Sequence, residues 1–343
     1  MRSLKLVIWD LDETLVQGVF AEGDRDLAEN ADEVVRSLHE RGVLQALATQ
    51  NDPEVMSEAM RTYGWDGVFQ DARADFAPKK VKVEAVLAHL DIAADHTVFV
   101  DDDPFERASI AVQIPGITTS SVAEMVAAAE SVEIPDTEES RRRPEMYDEL
   151  AQRRADGDAA TDYEAFLASC DIQLSIRPYE AGDAERVTEL LERTNRMNLG
   201  ATMTPSETLD GLGTPDGPRI VIAELRDRYG DSGRCAAVRL SPTTTGAARI
   251  ETLALSCRVR ARGLALAMLV SLLRHPSARF DRFETRYNAT GKNRPLRMLL
   301  WASGFEEDDD GLLVTTREKV DGVSLPEWLT VLVADEDPQP VTA

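Results

Sequence analysis

The amino-terminal third of the chain repeats one pattern that restricts the fold more than any other feature. A predicted strand at 4–9 ends in four apolar residues, 6–9, that lead directly into Asp-Leu-Asp at 10–12, and a second short run at 97–100 leads into three aspartates at 101–103. Short, continuous apolar runs are typical of strands that are buried on both faces of a sheet. The pattern therefore predicts buried strands that carry charged side chains at their carboxyl ends.

Helical patterns separate these runs and complete the prediction. A further strand is predicted at 43–49, and helices are predicted at 27–41, 53–63 and 81–90. The pair Asn51-Asp52, just before the second helix, is typical of residues that cap a helix N-terminus. This alternation of strands and helices indicates an α/β fold with a parallel sheet covered by helices on both faces. In such sheets ligands bind at the carboxyl ends of the strands, where the acidic residues lie.

Length, charge and cysteine content narrow the class of protein. A chain of 343 residues predicts two domains, since one domain averages roughly 150 residues. Its net charge of −24 and pI near 4.6 argue against nucleic-acid and membrane partners, because a negative surface repels phosphates and anionic lipid. The scattered Cys170, Cys235 and Cys257 argue against a disulfide framework or a zinc site. No signal sequence or long apolar span is recognised, so the expected location is the cytoplasm.

The composition changes between residues 131 and 165, where charged residues replace aliphatic ones. We predict a charged helical linker there, with one exposed helix. It would join a first domain at 1–130 to a second domain at 166–333, and the acidic tail at 334–343 is predicted to be disordered.

The second domain mixes strand and helix patterns and is predicted to be α+β. Its predicted strands lie at 172–177, 220–225, 235–240, 250–255, 283–287 and 312–316, and its predicted helices at 183–194, 264–273 and 294–302.

Asp10 and Asp12 suggest phosphoryl chemistry. Alternate residues of a strand point to the same side, so at a strand end both carboxylates can converge on one cation. Mg²⁺ prefers hard oxygen ligands and keeps waters that a substrate phosphate can replace. One carboxylate can also attack phosphorus while the other moves protons. The alternative is structural, with both acids capping the helix that follows.

Three further sets of residues lie at or near the predicted ends of strands and helices. Thr49 ends a strand, where its hydroxyl and the following backbone N–H groups can hold phosphate, and Lys79 or Lys80 follows a break at Pro78, just before the helix predicted at 81–90. Asp101 and Asp102 end the last strand of this domain. Each has an ordinary interpretation, as a turn residue, a solvent-facing lysine or the start of a loop. Their joint occurrence in this order favours a phosphoryl-transfer site.

The motifs D-L-D-E-T, A-L-A-T, P-K-K and F-V-D-D-D-P, in this order, resemble the signature of the haloacid dehalogenase (HAD) superfamily of phosphotransferases. The resemblance implies that Asp10 is a nucleophile that forms an aspartyl-phosphate and that Asp12 is the general acid/base. It implies that Thr49 and Lys79 hold the phosphoryl group. The implied Mg²⁺ ligands are Asp10, Asp12 through its backbone, Asp101 and Asp102.

The segments between these motifs are short. The predicted elements fill residues 13–48 and 50–78, which leaves no room for a large cap domain. We therefore expect a HAD-type, Rossmann-like sheet whose site is open or is covered only by the second domain. An open site suits a bulky or protein-borne substrate.

Three pieces of the second domain are distinctive: RTNRMNL (193–199), ALSCRVRARGLA (254–265) and NATGKNRPLRMLLWASGF (288–305). The middle piece joins a predicted strand to a helix N-terminus, whose N–H groups can bind pyrophosphate. The pieces resemble a GNAT acyltransferase fold, which implies a coenzyme A site at Arg260, Gly263 and Ala265. Leu300 stands where many members have a tyrosine acid, which argues against acetyl transfer.

The two domains in this order resemble the FkbH-like (HAD-IIIC) proteins of polyketide biosynthesis. The matching pieces are DDDPFER, RTNRMN, SCRVRARG and TGKN, within a match over roughly 4–316. The resemblance implies a Mg²⁺-dependent enzyme that takes a glyceryl group from 1,3-bisphosphoglycerate, removes phosphate and loads the glyceryl group onto the phosphopantetheine arm of an acyl carrier protein. Cys257 is a candidate thiol for this relay, and the alternative is a buried structural cysteine.

Substitutions leave other interpretations open. Many members read DLDNTLWGG where this chain reads DLDETLVQG, and many have a cysteine at the position of Ala48. A second interpretation is a stand-alone small-molecule phosphatase whose GNAT-like domain is a lid or docking surface. A third is a catalytically decayed module that binds the carrier protein, and the complete set Asp10, Asp12, Lys79 and Asp102 argues against it.

Overall fold

The protein is described here from a computed structural model, which covers residues 4–194, 196–200, 203–214, 216–256, 264–278 and 280–334. The chain divides into two compact units, Met1–Ala151 and Gln152–Ala343. The domain limits drawn from composition stay predictions. In the described part of the chain, no helix combines the length and apolar character needed to cross a bilayer.

The first unit is built on five strands and the helices that connect them. The strands are β1 (Leu6–Trp9), β2 (Leu44–Thr49), β3 (Phe69–Ala74), β4 (Thr97–Val100) and β5 (Thr118–Ser120). The helices are α1 (Ala31–Glu40), α2 (Pro53–Tyr63), α3 (Lys79–Leu90), α4 (Pro104–Gln113), α5 (Val122–Ala128) and α6 (Glu138–Arg141).

The five strands form one sheet in the order β3-β2-β1-β4-β5, and every neighbouring pair is parallel. Strand β1 is central and fully buried. Its Leu6 and Ile8 pack with residues of α3 and α4, while Val7 and Trp9 pack with residues of α1, α2 and α5 on the other face. The predicted α/β fold with helices on both faces is therefore confirmed. Asp10 follows β1, where the strand order changes direction, which is where ligands bind in open sheets of this kind.

Two differences from the prediction have local causes. Strand β3 was not predicted, because half of its sequence FQDARA is polar and only Phe69 in it is buried. Helix α1 begins at Ala31 rather than near residue 27. Asn30 adopts a left-handed φ of 58°, and Leu27 instead forms a bridge with Val16.

The first unit carries no large cap in its described residues. Between β1 and β2 the chain forms a short 3-10 turn at Phe20–Glu22 and α1, and between β2 and β3 it forms α2. The expectation of a parallel sheet without a large cap is confirmed for the described residues of this unit.

The segment 131–165 is more structured than predicted. Besides α6 it contains α7 (Arg143–Ala159) and the start of α8 (Tyr163–Ser169), so the prediction of one exposed helix was wrong. Glu139, Ser140 and Arg143 are buried. The Arg143 guanidinium donates to the carbonyl of Gly42 at 2.7 Å, which ties this charged stretch to the sheet of the first unit.

The second unit is built on a larger sheet. Its strands are β6 (Ile172–Pro178), β7 (Arg219–Asp227), β8 (Gly230–Pro242), β9 (Ala248–Leu255), β10 (Arg282–Thr285), β11 (Glu306–Glu307), β12 (Leu313–Thr316) and β13 (Leu329–Val333). Its further helices are α9 (Ala184–Arg193), α10 (Pro205–Leu209), α11 (Leu264–Arg274), α12 (Arg294–Ala302) and α13 (Arg317–Asp321).

These strands form a mixed sheet in the order β11-β12-β10-β9-β8-β7-β6-β13. Strands β6 to β9 are antiparallel neighbours, whereas β9 pairs with β10 in parallel. The predicted α+β class is confirmed. Strand β13 was not predicted and pairs in parallel with β6. Most of the predicted disordered tail, 335–343, lies outside the described residues.

We expect replacement of Gly42 by alanine to destabilise the first unit. Gly42 has a φ of +83°, and an added Cβ would lie 1.8 Å from the carbonyl oxygen of Ser140. Gly67 is the matched control, since its φ is +78° and a Cβ there meets nothing within 4 Å. Gly67→Ala should cost about 1 kcal/mol of unfolding free energy for its backbone conformation, and Gly42→Ala about 2 kcal/mol more. If urea denaturation showed equal losses of unfolding free energy in the two variants, the packing of 137–143 on this unit would be contradicted.

Candidate active site

Asp10 lies buried at the carboxyl end of β1. Its backbone N–H donates to the carbonyl of Val100 at 3.0 Å, which continues the pairing of β1 with β4 by one residue and fixes the start of the loop. The residue is only 6% exposed. A carboxylate in this position is costly unless another group compensates its charge.

Lys79 supplies that charge. Its Nζ donates to Asp10 Oδ2 at 2.8 Å and to Asp101 Oδ2 at 2.5 Å. The sequence left Lys79 and Lys80 as alternatives, and the structure distinguishes them: Lys80 instead pairs with Glu84 along α3 at 3.6 Å. Pro78 precedes α3 as its N-cap residue, so the first helical residue, Lys79, is the one directed into the site.

Three carboxylates converge beside this lysine. Asp10, Asp101 and Asp102 each offer an oxygen, and these oxygens lie within 4.8 Å of one another. Asp10 Oδ1 is buried, and among the described residues it has no hydrogen-bond partner. Three negative charges and one positive charge leave a formal −2. A divalent cation with hard oxygen ligands satisfies both the charge and the unpaired oxygen, so these residues fit Mg²⁺.

The electrostatics of the site agree with this fit. Burial raises the pKa of the Asp10 carboxyl to about 6, and the charge of Lys79 opposes that rise. Burial also lowers the pKa of Lys79, but Asp10 and Asp101 more than compensate, so the pKa of Lys79 lies above its ordinary value. Lys79 is therefore a fixed cation, and Asp10 is a carboxylate whose ionised form a bound cation favours.

The acidic pair after β4 is held in place by its own loop. Asp101 is fully buried, and its Oδ1 accepts from the N–H of Asp103 at 2.9 Å. The Arg107 guanidinium donates to the carbonyls of Asp101 and Asp102 at 2.6 and 2.7 Å. Asp103 caps α4 by accepting from the N–H of Phe105. These bonds fix the Asp101 side chain and the backbone of the loop that carries Asp102.

Thr14 connects the two acidic loops. Its hydroxyl accepts from the N–H of Asp102 at 3.0 Å and donates to Asp102 Oδ1 at 3.2 Å. Asp102 is itself exposed, so without Thr14 its carboxylate would be free to turn into solvent. Thr14 is therefore a residue that positions a candidate metal ligand.

The Asp12 carboxylate has a different neighbourhood from the other three. It accepts from the N–H of Phe20 at 2.8 Å and from the side-chain amide of Asn51 at 2.5 Å. It is not part of the carboxylate cluster, so the side chain itself is not placed as a metal ligand. A metal contact through its backbone carbonyl stays a prediction. Thr49 is also buried, and its hydroxyl lies 3.5 Å from the side-chain amide nitrogen of Asn51.

The turn that leads to Lys79 is held by a second buried lysine, Lys82. The Nζ of Lys82 donates to the carbonyls of Asp75 and Ala77 at 3.0 and 2.6 Å and to the Asp75 carboxylate at 2.8 Å. Lys82 is 2% exposed. This turn therefore has a defined shape, which places the start of α3 against the sheet.

The structure also identifies residues that the sequence interpretation missed. Asn51 was assigned to a capping pair, but it binds Asp12, and the N-cap residue of α2, Asp52, makes no side-chain capping bond. Thr14 and Lys82 were not selected at all. Thr14 lies inside the D-L-D-E-T motif, which was the only available signal for it.

The predicted site residues of the second unit are described only in part. Cys257, Arg260 and Gly263 lie outside the described residues. Ala265 is buried in the first turn of α11. Leu300 is fully buried in α12, where it belongs to the core of the unit.

The chain matches no protein-family model and no curated protein sequence. Solved structures do match parts of it. The N-terminal part of a Bacteroides fragilis protein, which contains a phosphatase domain and was solved with Mg, is 24% identical, and the match covers 38% of this chain and 39% of that chain, with a TM-score of 0.33. The present chain therefore aligns with well under half of that structure's length.

Two other matches cover nearly the whole of smaller proteins. The cobalt-bound deoxy-D-mannose-octulosonate 8-phosphate phosphatase of Haemophilus influenzae is 16% identical over 48% of this chain and 97% of its own, with a TM-score of 0.29. A protein from Desulfovibrio desulfuricans described as an acetyltransferase of the GNAT family is 17% identical over 42% of this chain and 98% of its own, with a TM-score of 0.31.

We expect Thr14→Val to weaken Mg²⁺ binding about 10-fold, as is typical when a group that orients a metal ligand is removed. The control is Thr97→Val, which removes a buried hydroxyl that donates to the carbonyl of Ala93 at 3.2 Å. Both changes should cost about 1 kcal/mol of stability, but only the first should alter Mg²⁺ affinity in calorimetric titration. Equal Mg²⁺ affinity in the two variants would remove Thr14 from the site.

Proposed function

We propose that the first unit is a Mg²⁺-dependent phosphoryl-transfer enzyme of the HAD type, with Asp10 as its nucleophile. The observation that carries the proposal is the state of the Asp10 side chain. It is buried, one oxygen is bound by Lys79, and the other has no partner among the described residues. Most buried polar atoms that serve only the fold have a hydrogen-bond partner, so the unpaired oxygen favours a functional role.

Each side chain has a role in the proposed reaction. An Asp10 oxygen attacks phosphorus, the bond from phosphorus to the leaving oxygen breaks, and an aspartyl-phosphate forms. Asp12 gives a proton to the leaving oxygen and later takes one from the water that attacks the aspartyl-phosphate, which releases inorganic phosphate. Lys79 and Thr49 hold the phosphoryl oxygens. Bound Mg²⁺ would stabilise the charge on those oxygens.

The Asn51 and Phe20 contacts support the separate role of Asp12. They hold its carboxylate with neutral N–H donors, whereas Asp10 and Asp101 are held by the Lys79 cation. Two carboxylates in different surroundings are what a nucleophile and a proton carrier require.

For the substrate we propose a phosphoglyceryl compound such as 1,3-bisphosphoglycerate, with an acyl carrier protein as the acceptor in polyketide biosynthesis. The ester phosphate of such a compound would be transferred to Asp10 and then released by the attack of water. The acyl phosphate would drive loading, because attack of a carrier thiol on the acyl carbon expels phosphate and forms a thioester. The resemblance of the motifs supports this proposal, and the lack of a large cap among the described residues of the first unit suits a protein-borne acceptor.

A second candidate is a stand-alone phosphatase, and one observation favours it. Ala48, at the position where related sequences have a cysteine, is fully buried in β2 and packs with Ile8 and Val83. Cys170 and Cys235 are buried in the core of the second unit. In the described part of the chain, no thiol lies at the phosphoryl site to carry an acyl group.

We expect Asp10→Asn to lower phosphate release from acetyl phosphate by about 1000-fold or more, because an amide is a poor nucleophile. The fold should be retained, which the thermal unfolding midpoint will show. Asp52→Asn is the control, since Asp52 is exposed and makes no side-chain capping bond. Substantial turnover by the Asp10 variant would exclude Asp10 as the nucleophile.

We expect the enzyme with Mg²⁺ and 1,3-bisphosphoglycerate generated in situ to add a glyceryl mass to a phosphopantetheinylated carrier protein. Intact-protein mass spectrometry would detect the adduct, and two phosphates should appear for each thioester formed. Chelation by EDTA should stop both, and Mg²⁺ should restore them. Phosphate release without any carrier adduct would reject glyceryl transfer and favour the stand-alone phosphatase.

A further inference from the structure

Strands β9 and β10 of the second unit run side by side for only a short distance. Their parallel pairing is limited to Phe283 with Ala248 and Glu284 with Arg249, whereas β9 continues to Leu255. The carboxyl half of β9 therefore diverges from β10. Backbone N–H and C=O groups on such an edge need partners, and an unpaired edge invites an extended chain to pair with it.

The chain itself supplies that partner. Asn198 forms an antiparallel bridge with Ala254, and the N–H of Leu255 donates to the carbonyl of Met197 at 3.1 Å. The N–H of Ser256 donates instead to Cys235 on β8, so Met197 lies on the opposite edge of β9, the edge that faces β10. On the far side of the same segment, the N–H of Asn288 donates to the carbonyl of Leu199 at 2.9 Å. The segment 197–200 thus fills the gap as a short additional strand.

A buried asparagine fixes this insertion. Asn293 is fully buried, and its side-chain amide donates to the carbonyls of Asn198 and Asn288 at 3.1 and 2.9 Å. Its oxygen accepts from the N–H of Thr290 at 2.9 Å and from the Tyr287 hydroxyl at 2.7 Å. Every polar atom of the Asn293 side chain is thus paired, and the bonds tie the segment to the loop after β10.

The segment 197–200 is also closely packed. Met197 and Leu199 are 2% and 3% exposed and belong to the main core of the unit. Gly200 has a φ of +77°, and an added Cβ would lie 2.2 Å from the carbonyl oxygen of Asn288. The Asn288 side chain in turn donates to the carbonyl of Gly200 at 3.1 Å. The segment is therefore built into the core and is not a loop resting on its surface.

This arrangement conflicts with the ligand that a GNAT-like unit implies. A pantetheine arm is an extended chain with two amides, so it would pair with a strand edge as an added strand does. The edge that leads toward the N-terminus of α11, where a pyrophosphate would bind, is the carboxyl half of β9. That edge already pairs with 197–200, and the residues present do not fit the arm there.

We infer that the segment 197–200 is an internal strand that closes β9 to extended, amide-bearing ligands, so that the second unit takes up neither coenzyme A nor a pantetheine arm along β9. Described residues of the pieces RTNRMNL, ALSCRVRARGLA and NATGKN meet at this gap, and the inference gives those residues one structural role. It goes beyond the proposed phosphoryl chemistry and does not depend on it.

The test is calorimetric titration of the full chain with coenzyme A and with pantetheine, together with hydrogen exchange at single amides. Neither compound should bind saturably at millimolar concentration. The amides of Leu255 and Asn288 should exchange slowly, and coenzyme A should leave their rates unchanged. Saturable binding with altered exchange at either amide would overturn the inference, and so would fast exchange at both amides in the unmodified protein. Asp10→Asn should give the same results, which separates this test from that of the phosphoryl site.

A glycine substitution tests the insertion directly. Gly200→Ala should drive the segment out of the gap and speed exchange of the Leu255 and Asn288 amides at least 10-fold. Gly246→Ala is the matched control, because Gly246 has a φ of +78° and a Cβ there meets nothing within 4 Å. Equal exchange rates in the two variants would contradict the inference. If Gly200→Ala does not fold, the measurements on the unmodified protein decide the question alone.

Discussion

The first unit depends on one interaction, the pair of hydrogen bonds from Lys79 to Asp10 and Asp101. It joins the ends of β1 and β4 to the start of α3, three places that are far apart in the sequence. Buried carboxylates repel one another, and a single ammonium between them offsets part of that cost. The remaining negative charge also attracts a divalent cation to the same place. One arrangement of side chains therefore stabilises the fold without metal and offers the ligands for a metal.

In the second unit, neutral groups supply the partners for buried backbone atoms. Where β9 and β10 diverge, backbone groups would be left without partners in the core, and the segment 197–200 with Asn293 supplies them. The described groups that form these bonds are all neutral. The two units therefore differ. The first holds uncompensated charge and an unpaired oxygen, as a site for chemistry does, whereas the described groups around 197–200 in the second satisfy one another's hydrogen bonds.

The sequence predicts those parts of the structure that depend on local patterns. Asp10 and Asp101 could be placed because apolar runs end on them, and α2 and β4 were predicted with the bounds they have. Contacts across long sequence separations could not be predicted in this way. The bond between Asn51 and Asp12 and that between Thr14 and Asp102 depend on how strands are ordered in the sheet, which periodicity does not encode. The edge strand β3 was missed because half of its residues are polar and only Phe69 is buried. The pairing of 197–200 with β9 was missed because the segment is too short to show a strand pattern.

The most direct test of the central claim is to trap the phosphorylated enzyme. The protein would be quenched in acid during turnover of acetyl phosphate with Mg²⁺ and then treated with borohydride, which reduces an aspartyl-phosphate to homoserine. Peptide mass spectrometry should find homoserine at position 10 when both substrate and Mg²⁺ were present, and unmodified aspartate when either was omitted. Unmodified Asp10 in an enzyme that is releasing phosphate, or homoserine at Asp12 instead, would contradict the account.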